Sequence, residues 1–163
     1  MQIRRTSEAD WQMLQHLRLA ALLDAPAAFG LTYSIAAAYS EAQWRERAGG
    51  RSEPIFWLAL DQHQPLGLIG GITAPDQPGE YHLISLWVAP AARGRGVGDA
   101  LIAAVQAHAR STGFPRVALR VAPDNLPAVT LYQRHGFAFR DEWVALQSHP
   151  EIAVQTMVWL ATA

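Results

Sequence analysis

The sequence predicts a mixed α/β fold: one central sheet of about six to seven strands, flanked by helices in an α+β arrangement. Three observations carry this. Apolar runs of strand length alternate with segments whose apolar residues recur at helical spacing. Residues 83–113 read as a strand, a glycine-rich turn and a helix, and the strand after them must return parallel to the first through a right-handed crossover. Half of the 163 residues are hydrophobic and six are Trp, which suits a single domain over 1–163 with its own core.

Taken in order, residues 2–5 predict a short edge strand. Ser7 can cap a helix, with Glu8 and Asp10 at its positive end and Trp11, Leu14, Leu17, Ala21 and Leu22 along one face. That helix ends near Asp24-Ala25-Pro26, and residues 24–40 show no clean period. Ser40 caps a further helix that stops at Gly49-Gly50. Residues 54–61 and 66–73 read as paired strands, and Gly67, Gly70 and Gly71 mark a bulge or a close backbone approach. The central strand begins near Glu80 and runs to Ala89, where Pro90 stops it. After the turn, Leu101, Ile102, Val105 and Ala109 define a helix that ends at Gly113. Arg116 to Val121 is the parallel partner strand. Asn125 and Pro127 open a helix that stops at Gly136, and residues 137–144 and 154–160 predict the last two strands.

Composition bounds the chemistry. The formal net charge of −1 argues against broad nucleic-acid or membrane-surface binding, which needs concentrated positive charge. With no Cys there is no disulfide framework, thiolate metal site or covalent Cys intermediate. The six His are scattered without ligand spacing, so no metal site is expected. No apolar run approaches the ~18–20 residues of a membrane span, and no signal peptide is visible, so the expected location is cytoplasmic.

The turn at 93–98 is the most informative stretch. A helix start leaves amide N–H groups unpaired, glycines let a ligand approach the backbone, and the helix dipole adds partial positive charge. Together these predict a phosphate site. No Gly-Lys-Ser/Thr is present for a Walker A loop, and the third glycine of G-x-G-x-x-G falls on Asp99. Arg93-x-x-Gly96-x-Gly98 fits the pattern Arg/Gln-x-x-Gly-x-Gly/Ala. With the lead-in Leu86-x-Val88-x-Pro90, it resembles the pyrophosphate loop of the GCN5-related N-acetyltransferases. Asn125-x-x-Ala128-x-x-Leu131-Tyr132-x-x-x-Gly136-Phe137 resembles that family's later motif, in the family's order and spacing. The resemblance spans about 2–160 in element order and is specific over about 80–137.

This resemblance implies a sheet splayed between its fourth and fifth strands, with acetyl-coenzyme A as co-substrate. It implies transfer of an acetyl group to a primary amine by direct attack in a ternary complex. The cofactor is expected at Leu86, Trp87, Val88, Arg93, Gly94, Arg95, Gly96, Val97, Gly98, Asn125 and Tyr132. The Val88 N–H would face the thioester carbonyl, and Tyr132 would protonate the leaving thiolate. Asn125 would bond the pantetheine amides or serve only as a cap. Arg95 and Arg134 are candidates for the 3′-phosphate. A base is useful because a lysine-type amine has a pKa near ~10.4. Glu80 is the first candidate and His82 the second, with Ser85 nearby. Phe29, Tyr33 and Tyr39 are candidates to touch the acceptor, and for each a purely packing role is an equal alternative. The acceptor class, small molecule or peptide amine, stays open. So do a non-catalytic coenzyme A-binding module and a different acyl donor. The apolar C-terminal strand suggests a homodimer through edge pairing.

Overall fold

The structure is a computed structural model that describes residues 1–161. Its elements are β1 (Gln2–Arg5), α1 (Trp11–Asp24), α2 (Tyr33–Ala37), α3 (Glu41–Gly49), β2 (Ile55–Asp61), β3 (Gln64–Thr73), β4 (Glu80–Val88), α4 (Val97–Ser111), β5 (Arg116–Val121), α5 (Leu126–Arg134), β6 (Ala138–Leu146) and β7 (His149–Leu160). Short 3-10 turns at Glu8–Asp10 and Pro90–Ala92 lead into α1 and follow β4. The seven strands form one sheet in the order β1-β2-β3-β4-β5-β7-β6. Among the described residues only β4 and β5 pair in parallel.

Both faces of the sheet are covered, which explains the unbroken apolar run of β2. Trp57 and Ala59 turn to the face of α4, where Leu101, Val105, Val117, Leu119 and Met157 pack. Phe56, Leu58 and Leu60 turn to the face of α1 and α3, against Leu14, Leu17, Trp44, Leu68 and Trp87. α3 begins in a reciprocal cap, Gln43 N donating to Ser40 Oγ and Ser40 N to Gln43 Oε1. Gly50, at φ 68°, ends it. The β3 glycines make room for neighbours. A Cβ on Gly67 would stand 2.6 Å from the Trp87 carbonyl oxygen, and one on Gly71 would strike the Tyr81 ring.

Two expectations need correction. β7 lies between β5 and β6, hydrogen-bonded on both sides, so it offers no free edge for a dimer. The edge strands are β1 and β6. β6 and β7 are also longer than expected. Pro150 sits second in β7, where a missing ladder donor is tolerated, and the turn between the strands is only Gln147 and Ser148. Among the described residues no helix is long and apolar enough to cross a membrane.

Candidate active site

β4 and β5 stay paired only through Glu80↔Arg116, Tyr81↔Val117 and His82↔Ala118. Beyond His82 they separate: residues 83–88 keep only β3, and Leu119–Val121 keep only β7. The splay between the fourth and fifth strands is therefore present. Ser85, at φ 61°, inserts one extra residue in β4 opposite β3. Such a bulge shifts the alternation of side chains by one. Tyr81 and Leu83 face α4 before it, and Leu86 and Val88 do so after it.

The amides of β4 divide accordingly. Ala89 N donates to Leu66 O on β3 at 2.8 Å. Main-chain groups alternate in direction along a strand, so the Val88 and Leu86 N–H groups point away from β3, into the gap. The Val88 carbonyl on the same side accepts from Arg93 Nε at 3.0 Å. Trp87 departs from its expected place among the cofactor residues. Its amide faces β3, its ring is buried on the α1 side, and its Nε1 donates to Asp24 Oδ2 at 3.0 Å. Arg93 Nη2 bonds the same oxygen at 2.7 Å. Hydrogen bonds from Trp87 and then Arg93 hold the Asp24 carboxyl below its usual range.

The loop at the head of α4 turns on Gly94 and Gly96, both left-handed at φ 76° and 78°. A Cβ at either would meet open space, so conformation, not crowding, requires glycine there. Among the described residues the amides of Gly94, Arg95, Gly96, Val97, Gly98 and Asp99 meet no protein acceptor. Six free donors at one helix start fit a diphosphate. Gly98 sits in close contact: its Cβ would lie 3.2 Å from Leu131 Cδ2 and 3.9 Å from Val88 Cγ2. That contact brings the loop, the end of β4 and α5 together.

Tyr132 follows Leu131 on α5. Burial pushes its phenol up to about 12, and among the described residues its hydroxyl meets no protein partner. Asn125 Oδ1 caps α5 through a long bond from Ala128 N, 3.5 Å, leaving its amide nitrogen without a protein acceptor among the described residues. Arg95 approaches Asp61 at 3.6 Å and is half exposed. Arg134 differs from its expected role, because it pairs with Asp99 at 2.9 Å, beside His135.

Glu80 lies at the closed end of the gap and is 1% exposed. It accepts from Arg116, Arg140 and His82 at 2.9–3.2 Å. Burial alone would raise its pKa, but these bonds outweigh burial and bring it down to about 2. An ionised carboxylate only accepts, so His82 Nε2 is the donor and Nδ1 carries the lone pair of the neutral ring. Two elements remote in sequence, β5 and β6, supply the arginines, which is why the sequence left Glu80 as first choice for the base.

On the α1 side, Phe29 and Tyr39 are half-buried against the second core, and Tyr33 is 40% exposed at the start of α2. The β6–β7 turn reaches this segment: Ser148 Oγ donates to the Phe29 carbonyl at 3.0 Å. The residues missed in sequence were Asp24, Arg116 and Arg140. Asp24 had a signal, an acidic residue at the end of a helix where a cation is preferred.

The profile of the Acetyltransferase (GNAT) family matches residues 14–137. The chain belongs to this family. GNAT acetyltransferases draw their acetyl group from acetyl-coenzyme A. Among curated relatives, the mycothiol acetyltransferase of Geodermatophilus obscurus is 37% identical over 100 residues, covering 58% of this chain and 30% of that protein. N-acetyltransferase 8B of Rattus norvegicus is 33% identical over 85 residues, 50% of this chain and 38% of that protein. The chain thus matches about a third of the length of these relatives. Among solved structures, a GNAT acetyltransferase from Streptococcus pneumoniae superposes with TM-score 0.79 at 21% identity, over 98% of both chains. yncA from Salmonella typhimurium, solved with its cofactor acetyl-CoA, gives TM-score 0.76 at 17% identity, over 100% of this chain and 95% of that one. These likenesses establish the GNAT fold.

Proposed function

We propose that this GNAT protein transfers an acetyl group from acetyl-coenzyme A to a primary amine by direct attack, without an acyl-enzyme. The observation that carries this reading is the gap itself. Unpaired β4 amides line it, six free amides lie at one end, and an oriented imidazole stands where the strands rejoin. Acetyl-coenzyme A supplies the activated acetyl group as a thioester.

The chain's own residues divide the work. The loop amides from Gly94 to Asp99 hold the diphosphate, and Arg93 braces the loop against β4 and α1. The Val88 N–H donates to the carbonyl oxygen, where negative charge develops. Tyr132 holds a neutral phenol beside the departing sulfur and hydrogen-bonds it as it gains charge. His82 takes the amine proton at Nδ1, while Glu80 fixes the ring and its tautomer. A carboxyl brought down to about 2 binds protons too weakly to serve as base near neutrality, so Glu80 acts as a positioning residue. Asn125 caps α5 and offers its amide nitrogen to the pantetheine arm. Phe29, Tyr33 and Tyr39 border the acceptor side.

Two measurements test this. Calorimetry with acetyl-coenzyme A is expected to show binding, and a thiol-release screen over amino acids, polyamines, aminoglycosides and peptide N-termini is expected to find a turned-over amine. His82→Ala then loses turnover, by about 10²–10⁴-fold for a general base, with acetyl-coenzyme A affinity retained. Binding without thiol release from any amine would leave a non-catalytic binding module. Absence of binding would end the reading.

A further inference from the structure

Among the described residues Arg18 has no counter-ion. It lies on the face of α1 that packs toward the sheet, on the same stripe as Leu14 and Ala21. Its Nη1 is buried with no hydrogen-bond partner, and no carboxylate pairs with it among the described residues. Its guanidinium stacks on Phe29, 5.5 Å from the ring centroid. Burial, opposed by Tyr39 and reinforced by Arg47, lowers its pKa to about 10. Arg47 is itself stacked 3.9 Å over Tyr39 and bonded to the Gln43 carbonyl. Tyr39 also meets Trp44 edge-on at 5.5 Å, and Trp44 Nε1 is a second buried donor without a partner. The sequence carried a faint signal: a single basic residue inside the apolar stripe of a helix.

A buried guanidinium without an anion is costly to keep. Other partly buried arginines of this chain are matched by carboxylates, Arg4 by Asp10 and Arg116 and Arg140 by Glu80, while Arg47 rests on Tyr39 and the Gln43 carbonyl. Arg18 also lies on the helix that reaches the gap. It precedes Asp24 by six residues, about 9 Å along the helix, and Asp24 is bonded to Trp87 and Arg93 at the mouth of the gap. His82 projects from β4 to this α1 side, opposite Tyr81 and Leu83. Phe29, stacked on Arg18, is held by the β6–β7 turn.

We infer that Arg18 binds a carboxylate on the acceptor, so that the acceptor is a small amine carrying a free carboxylate, with Phe29 and Tyr39 walling the site. This rests on the transferase reading above. Among the described residues no Arg18 nitrogen donates to a protein acceptor, so its planar fork is free to grip one carboxylate. A phosphate would call for Arg47 as well, which is occupied by Tyr39 and Gln43. A peptide N-terminus lacks a nearby carboxylate.

The test is a thiol-release assay on matched acceptors: free amino acids, their carboxamides, the corresponding decarboxylated amines and phosphorylated amines. Wild type is expected to show kcat/KM higher by about 10- to 100-fold for the free carboxylate than for its carboxamide, the range for a hydrogen bond to a charged group. Arg18→Gln brings that ratio near one, Arg18→Lys restores part of it, and acetyl-coenzyme A affinity stays at the wild-type value. Arg18→Met is expected to keep or raise Tm, because it removes an unpaired buried charge; a structural arginine would instead lower it. Equal turnover of carboxylate and carboxamide by wild type overturns the inference whether or not any variant folds. So does preference for the phosphorylated amine, or a ratio unchanged in Arg18→Gln. Those results leave the transferase reading standing, whereas failure to bind acetyl-coenzyme A removes that reading first.

Discussion

Replacing Glu80 with Gln should change both the stability of the fold and its response to acid. The wild-type carboxyl falls from an ordinary 4.5 to about 2 in the folded protein. A group with a depressed folded pKa stabilises the fold fully above its unfolded value, and that stability is lost as pH falls through the folded value. The difference of 4.5 − 2, or 2.5 units, at 1.36 kcal/mol per unit gives about 3.4 kcal/mol. Partial exposure of Arg116 and Arg140, about a third each, makes this an upper figure. In Glu80→Gln the two guanidiniums lose their shared anion, so near neutral pH the variant should lose about 2–3 kcal/mol. The assay is urea unfolding of both proteins at half-unit steps from pH 7 to pH 2.5. Wild type should lose stability between about pH 4.5 and pH 2, and Glu80→Gln should have lost it already and be flatter there. Parallel curves across that window, or a cost below about 0.5 kcal/mol at pH 7, would refute the idea that Glu80 is held by its neighbours.

Tyr132→Phe should leave stability within about 0.5 kcal/mol, because the hydroxyl has no protein partner among the described residues to lose, while turnover falls by about 10²–10⁴-fold; stopped-flow thiol release and thermal melts read the two separately. Because burial pushes this phenol up to about 12, its contribution to stability is complete below pH 10 and disappears as pH rises through 12; Tyr132→Phe should therefore resist alkaline unfolding better than wild type over that interval. Gly96→Ala forces a side chain into a left-handed conformation at about 1–2 kcal/mol, and since its Cβ would touch nothing, the loss should appear in acetyl-coenzyme A affinity by calorimetry as the loop relaxes. Gly98→Ala keeps an ordinary backbone and presses closely only on the movable end of Leu131, so circular dichroism melts should show a smaller change than for Gly98→Leu, which would drive α4 from α5.

What could be read from the sequence was what the backbone dictates locally. Gly94 and Gly96 announce left-handed residues, Ser40 with Gln43 announces a cap, and the apolar density of β2 announces burial on two faces. These signals lie within a few residues of the structure they specify. Ser85 gave no such sign, because a serine in the left-handed region looks like any other strand serine. The bulge it makes moves Leu86 and Val88 onto the face of Tyr81, where strict alternation along the strand would not put them. The position of β7 between β5 and β6 was also hidden, since strand order depends on which edge pairs last and not on local pattern. Glu80 and Trp87 were misjudged for the same reason. Their partners Arg140 and Asp24 lie 60 and 63 residues away, and only folding brings them together.

The gap needs an explanation of its own, because a sheet gains by pairing its strands and β4 leaves six residues unpaired on one side. Two anchors hold it open. At its lower end Glu80 draws Arg116 from β5 and Arg140 from β6 onto one carboxylate, which pins β4 to the far half of the sheet. At its upper end Trp87 and Arg93 share Asp24, which pins the strand and its loop to α1 on the near half. Between them the Ser85 bulge twists β4 out of register, and a Cβ-free Gly98 lets α4 and α5 close over the end without filling it. The free amides follow from that tension: each anchor satisfies side chains, and neither supplies an acceptor to the backbone. Loosening the lower anchor should therefore weaken the short β4–β5 pairing that remains, and Glu80→Gln protein should show faster hydrogen exchange over residues 80–82 and 116–118 as its global stability falls.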